Sequence, residues 1–195
     1  DNAATTRTDR RVLAAMAPYL GERFGNPSSF HSMGKEAQSA IETSRDTAAR
    51  ILNCRPREII FCSGGTESDN MAILGAARAN RAAGVHLVTS AIEHHAVLEP
   101  MRHLRDKENF SLTEAGVSES GIVNPDEVER AITNNTILVS IMMANNEIGT
   151  IQPIAEIGKR ILKWRKAHGT AYPLFHTDAC QAAGALDLNV EKLHV

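Results

Sequence analysis

Apolar and polar positions alternate along this chain in two periods, and the periods alternate with each other. Residues 8–20 (TDRRVLAAMAPYL) have helical spacing, with Val12, Leu13, Met16 and Leu20 on one side. GERFGNPSSFHS reads as a loop. KEAQSAIETSRDTAARILN predicts a long amphipathic helix whose buried face carries Ala37, Ile41, Ala48 and Ile51. A strand EIIFCS, a helix ESDNMAILGAARANRAAG and a strand VHLVTS follow. In IEHHAVLEPMRHLRDKE the spacing is helical, and Pro100 sets the start of the regular helix or a kink in it. FSLTEAGV reads as a short strand. NPDEVERAI starts a helix, with Asn124 as N-cap, Pro125 at the first helical position and acids in the first turn. ILVSIMMA at 137–144 is a continuous apolar run, as in a strand buried on both faces. The helix PIAEIGKRILKWRKAH, the strand AYPLFHT and the segment DACQAAG complete the series.

Strand–helix alternation of this kind predicts an α/β fold with a mostly parallel sheet and helices on both faces. The first forty or so residues lack strands, so they lie outside the sheet or belong to a second lobe. Ligands of open α/β sheets bind beyond the carboxyl ends of the strands. The segments there are GGTESDN, AIEHHAV, NNEIG and DACQ, carrying Thr66, Glu93, His94, His95, Asn145, Asn146, Asp178 and Gln181. In parallel strands these loops share one edge.

Each loop has a bland reading and a chemical one. In GGTESDN, Gly64 and Gly65 let backbone approach a ligand, and the following helix offers free N–H groups and a positive dipole end to a phosphate. Alternatively Thr66 is an N-cap with Asp69 as capping-box partner. No Lys follows the glycines, so this is not a P-loop. Asp178 caps a short helix or holds a protonated ring nitrogen. One of His94 and His95 lies against an aromatic ligand and moves protons, or the pair is a surface feature or a cap. Asn145–Asn146 is a turn pair or an amide donor to a phenolate-like oxygen. Cys180 is a nucleophile or a small buried residue. Trp164 packs against the sheet or a partner. A metal site needs His86, His94, His95 and His103 to converge without a carboxylate motif, so no metal is expected.

Composition narrows the classes. The chain has 195 residues, a net charge of -2 and 43% hydrophobic residues, enough for a sizeable core. A near-balanced charge gives no footprint for nucleic acid. No apolar run is long enough for a membrane span, and DNAATTRTDRR has no signal-peptide character. Cys54, Cys62 and Cys180, odd in number and without paired spacing, point to a reducing, cytoplasmic setting. The absence of an initiating Met is as expected of a piece of a longer chain.

Six stretches in order, DNAATT, FGNPSS, SGGTESDN, TSAIEHHAV, ILVSIMMANNEIG and FHTDACQ, resemble the cysteine desulfurases. That group is a branch of the class V aminotransferase-like enzymes that use pyridoxal 5′-phosphate. The resemblance implies the large domain of a fold type I enzyme, incomplete here. Residues 1–12 would be a segment near the active site, associated with the small lobe, and 13–195 the N-terminal portion of the cofactor-binding domain. Gly65 and Thr66 would meet the cofactor phosphate. His94 would stack on the ring, with proton transfer as a further role. Asn146 and Gln181 would serve the phenolic oxygen, and Asp178 the ring nitrogen. The implied reaction removes sulfur from L-cysteine, giving alanine and a persulfide for iron–sulfur clusters or thiolation. A homodimer and a sulfur-acceptor or scaffold partner are also implied. In the family, the lysine that tethers the cofactor, the mobile cysteine and the carboxylate-binding arginine lie beyond the region matched here, so these residues alone are expected to be inactive. LKWRKAHGTAYPLFHTD resembles the longer connection of selenocysteine lyases, which keeps that activity open. A non-catalytic module of the same fold is the remaining alternative.

Overall fold

The computed structural model describes residues 2–195. Asp1, the first residue of DNAATT and of the expected 1–12 segment, lies outside the described residues. The chain divides into two compact units, one ending at Ile60 and one spanning Phe61–Val195. Within the first unit, Arg45 donates to the Ile59 carbonyl, and Cys54 N–H donates to Ala49 O at 2.9 Å.

In the first unit, α1 (Arg10–Met16) starts at Asp9, whose carboxylate accepts from Arg11 N–H. A 3₁₀ turn, Ala17–Leu20, extends it. Helix α2 (Ser32–Leu52) starts at His31 and stops at Asn53 in a left-handed conformation. The FGNPSS loop lies over the first turn of α2. A Cβ on Gly34 would come within 2.2 Å of the Ser29 carbonyl oxygen, so only glycine fits there. The expected apolar stripes do not become a core. Val12, Leu13, Met16 and Leu20 are exposed, and so are Ile41 and Ile51. Only Gly34 and Ala49 of α2 are buried.

The second unit begins with a departure from expectation. EIIFCS is not a strand: residues 59–62 carry no regular structure, and Ile60 and Phe61 are exposed. An apolar run becomes a strand only where a neighbour takes its amides into a ladder, and pattern alone does not supply that neighbour. Helix α3 (Gly65–Ala79) follows. Then come β1 (His86–Ser90), α4 (His95–Glu108), β2 (Ser111–Ala115), α5 (Pro125–Ala131), β3 (Thr136–Ser140), α6 (Ile154–His168), β4 (Leu174–His176) and the single turn α7 (Val190–Leu193). The run ILVSIMMA is strand only as far as Ser140; its second half is loop.

All three strand pairings are parallel, in the order β2-β1-β3-β4. Alternate residues feed two cores. Val88, Val139 and Phe175 pack with Val128 of α5 and with Ile157 and Ile161 of α6. Leu87 and Leu138 pack with Ile73 and Ala77 of α3 and with Val97, Met101 and Leu104 of α4. Helices therefore cover both faces, and burial of each such side chain contributes about 1.5–3 kcal/mol. Trp164 packs at the edge of the first core and stacks on His168, with ring centroids 4.0 Å apart.

Pro100 neither starts nor breaks α4; it sits inside the helix. A proline there leaves the carbonyl four residues earlier without its helical donor. That carbonyl belongs to Ala96, and the Asn70 side-chain amide of α3 donates to it at 3.4 Å. The sheet order fixes where a ligand can bind. From β1 the chain runs outward to β2, then crosses β1 to β3 and continues the other way to β4. The crevice beyond the carboxyl ends of β1 and β3 is thus the topological switch point.

Candidate active site

Four segments meet at that edge. The first is the start of α3. Its N-cap is Gly64, not Thr66, and no side chain caps it. Thr66 lies one residue inside the helix. Ser68 N–H makes the first helical bond, to Gly64 O at 3.1 Å, so the N–H groups of Gly65, Thr66 and Glu67 precede the ladder. A Cβ on Gly64 would meet nothing within 4 Å, so the approach to these donors is open. Glu67 turns back, its Oε2 accepting from Ser63 N–H at 2.6 Å, and that bond holds its carboxyl below the usual range. Glu67 thereby closes the glycine loop from outside.

Asp69 does the opposite. It shares the inward stripe of α3 with Ile73 and Ala77 and is 3% exposed. It is not a capping partner of Thr66. Burial, reinforced by the charge of Asp178, pushes its carboxyl up to about 7. His176, at the end of β4, places Nε2 at 3.6 Å from Asp69 Oδ1, and its Nδ1 lies 2.8 Å from Ser140 Oγ. Burial lowers the pKa of His176, so this ring favours the neutral form.

The loop after β4 carries Asp178, which is buried. Its Oδ1 accepts from Cys180 N–H at 2.9 Å, and its carbonyl accepts from Met143 N–H at 2.8 Å. The capping role and a ligand role are compatible, because the carboxylate has a second oxygen. Residues 180–185 form turns rather than the short helix considered from sequence, and Gln181 is exposed within them. Burial and Asp178 push the Cys180 thiol up to about 12, which opposes the thiolate a nucleophile needs. A Cβ on Gly65 would lie 2.6 Å from Cys180 Sγ. The glycine loop and the DACQ loop therefore touch, through a cysteine side chain that can turn aside.

The loops after β1 and β3 are joined by Glu93. Its Oε1 accepts from Ser90 Oγ and from Met142 N–H. Its Oε2 is buried and has no hydrogen-bond partner among the described residues. Burial pushes Glu93 up to about 7, against the opposing pull of its two hydrogen bonds. His94, exposed, is the N-cap of α4, with Nδ1 accepting from Ala96 N–H at 3.1 Å. That bond occupies Nδ1 as an acceptor and leaves the neutral ring's proton on Nε2. Asn145 proves structural: its Oδ1 accepts from the N–H groups of Glu147 and Ile148, and its amide donates to Ile92 O. Asn146, next in the turn, is half-buried.

The structure thus gathers the segments carrying Gly65, Thr66, His94, Asn146, Asp178 and Gln181 at one end of the sheet unit. Sequence reasoning gave no chemical role to Asp69, Glu93 or His176. The four-residue spacing Asp69–Ile73–Ala77 was the available signal, since it puts Asp69 on the core-facing stripe. Free helix N–H groups beside buried carboxyls suit a ligand that is anionic at one end and cationic at the other. The histidines do not converge: His86 bonds Thr136 and Thr113, while His94 caps α4. Among the described residues, no group of His, Cys, Asp and Glu is arranged to hold a metal ion. No helix among them is long and apolar enough to cross a membrane.

The chain is similar to known proteins along its whole length. The chain is 50% identical over 195 residues to the cysteine desulfurase IscS of Methanosarcina thermophila, covering 100% of this chain and 46% of that protein. A solved NifS-like protein superposes with a TM-score of 0.91 at 40% identity, over 100% of this chain and 52% of the other. SspA in complex with cysteine superposes with a TM-score of 0.89 at 37% identity, over 100% and 54%. The chain spans about half the length of the curated relatives it matches. The family model for aminotransferase class-V matches residues 1–195. Matched along its whole length, the chain belongs to the class-V aminotransferase family.

Proposed function

We propose that the chain is the cofactor-binding part of a pyridoxal-phosphate cysteine desulfurase. The observation that carries this reading is the pairing of open N–H donors at the start of α3 with the buried Asp178 across the Gly65–Cys180 contact. A phosphate at the first turn of α3 is held by the N–H groups of Gly65 and Thr66 and by the Thr66 hydroxyl. Asp178 would pair with the ring nitrogen and favour its protonated form. His94 would lie against the ring, its Nδ1 already engaged by Ala96 N–H. Asn146 and Gln181 donate to the phenolic oxygen. Bound there, the cofactor supplies an electron sink for the substrate amino acid.

The substrate is L-cysteine, as the names of the relatives support: cysteine desulfurase for one, a complex with cysteine for another. The products are alanine and a persulfide destined for iron–sulfur or thio-cofactor synthesis. The persulfide-forming cysteine is placed outside these residues, since none of Cys54, Cys62 and Cys180 stands at the position of the family's mobile loop. The tethering lysine lies outside these residues. The working form is a cytoplasmic homodimer that hands sulfur to an acceptor protein. The test is turnover of L-cysteine by the full-length protein loaded with pyridoxal 5′-phosphate. Equal alanine and sulfide in the presence of a thiol reductant is the expected result. Release of neither contradicts the reading, and strong preference for selenocysteine redirects it.

A further inference from the structure

The cation seat contains more carboxyl groups than one ring nitrogen needs. Asp69, Glu93 and Asp178 are all buried at the same edge, and the charge of Asp178 adds to burial in raising the other two. Three buried carboxyls are costly to hold ionised together without cations. Glu93 is locked by Ser90 and Met142 and serves as a clamp between the loops after β1 and β3. Asp69 differs. It sits on the first turns of the helix that offers its N–H groups to the phosphate, it points inward, and its Oδ1 is 3.6 Å from a neutral histidine. When Ser140 donates to Nδ1, the proton of His176 resides on Nε2, facing Asp69. In that tautomer the Nε2–H lies 3.6 Å from Asp69 Oδ1, near an ionised Asp69 but not hydrogen-bonded to it.

We propose that Asp69 is a positioning residue for Asp178: it holds a proton in the ligand-free protein and gives it to solvent when a cationic ring nitrogen docks. The balance is simple. The Asp69 O–H bond breaks, the proton leaves to water, and the carboxylate that forms offsets the arriving positive charge while Asp178 pairs with it directly. The groups facing Asp69 are His176 and Asp178 from the β4 end, Cys180 beyond them, and Glu93 from the β1 end. The phosphate seat and the ring-nitrogen seat are coupled through one helix turn. This role rests on the cofactor reading above.

The test uses the full-length protein and pyridoxal 5′-phosphate, titrated by calorimetry in buffers of different ionisation enthalpy between about pH 6 and pH 8. Wild type is expected to release about one proton more per bound cofactor than Asp69→Asn below about pH 7, and its log Kd to depend more steeply on pH by about one unit of slope. Asp69→Glu is expected to restore both. The ligand's own titration cancels in the comparison. An equal proton count in wild type and Asp69→Asn overturns the proposal. Infrared difference spectra of wild type cover the case in which variants do not fold. Loss of a protonated-carboxyl band, identified by its displacement in deuterium oxide, is expected with pyridoxal 5′-phosphate and not with inorganic phosphate. No such loss overturns the proposal. If pyridoxal 5′-phosphate does not bind at all, the cofactor reading falls as well; if it binds with equal proton counts, only the role of Asp69 falls.

Discussion

The two ends of the same strands treat buried polar groups differently. At the amino end of β1, His86 is buried with both ring nitrogens bonded, Nδ1 to Thr136 at 2.7 Å and Nε2 to Thr113 at 3.0 Å. At the carboxyl end, Glu93 has an orphaned oxygen, Asp69 has a histidine at 3.6 Å, and both carboxyls are pushed up to about 7. Buried polar groups that are fully partnered specify a fold. Buried polar groups left short of partners, collected at a switch point, mark where a ligand completes the structure. The distinction is energetic: a paired polar group contributes about 0.5–1.5 kcal/mol net, whereas an unpaired one costs about 1–3 kcal/mol.

The largest break in this contrast comes from removing a polar group at each end. Asp178→Ala is expected to weaken pyridoxal 5′-phosphate binding by about 100-fold or more, consistent with about 3 kcal/mol for an abandoned ion pair. His86→Ala is expected to lower stability by about 1–3 kcal/mol with cofactor affinity unchanged. Equilibrium binding and denaturant melts read the two effects separately.

The pH dependence comes next. Asp69 and Glu93 have folded-state values raised above their usual 3.8 and 4.5, so the stability linked to their protons is full below about pH 4. It is lost as pH rises through about 7. The ligand-free protein is therefore expected to be less stable at about pH 8 than at about pH 5, by a few kcal/mol, since each tenfold change in a group's proton affinity on folding is worth about 1.4 kcal/mol. Denaturant melts at the two pH values measure it, and Glu93→Gln should flatten the slope. His86, whose pKa burial lowers, contributes in the opposite sense at lower pH, when its neutral ring must charge.

A smaller effect tests the contact that closes the site. Gly65→Ala is expected to reduce cofactor affinity by less than about tenfold, under about 1.4 kcal/mol, because the new Cβ meets only Cys180 Sγ, which can turn aside. Adding Cys180→Ala removes the colliding sulfur and should recover most of the loss, whereas Cys180→Ser should recover little. The smallest effect separates neighbours in one turn. Asn145→Ala is expected to cost about 1–2 kcal/mol of stability through its lost bonds to Glu147, Ile148 and Ile92. Asn146→Ala is expected to change the absorbance of bound cofactor more than stability.

Much of this was legible from residue order. The period of two or continuous burial in VHLVTS and ILVSIMMA predicted β1 and β3, and the parallel order predicted that their loops would share an edge. Asn124 and Pro125 start α5 as expected. What was not legible depends on neighbours far along the chain. EIIFCS has a strand's composition without a strand. The apolar stripe of α1 is real in sequence and exposed in the structure, because amphipathicity names a face and not its cover. Pro100 is tolerated because Asn70, on the preceding helix, supplies a donor. At the site, the residues expected from sequence were polar residues just past strands. Asp69 was read as a capping partner of Thr66, because acids in the first turns of a helix are ordinarily solvated; its burial depends on β4 and the loops packed against it.

The measurement that bears most directly on the central claim is a crystal structure of the full-length protein with pyridoxal 5′-phosphate. The phosphate is expected on the N–H groups of Gly65 and Thr66, with the ring nitrogen within hydrogen-bond distance of Asp178 and the His94 ring against the cofactor face. A cofactor seated elsewhere, or one whose ring nitrogen faces solvent while Asp178 keeps only its Cys180 partner, would contradict the account.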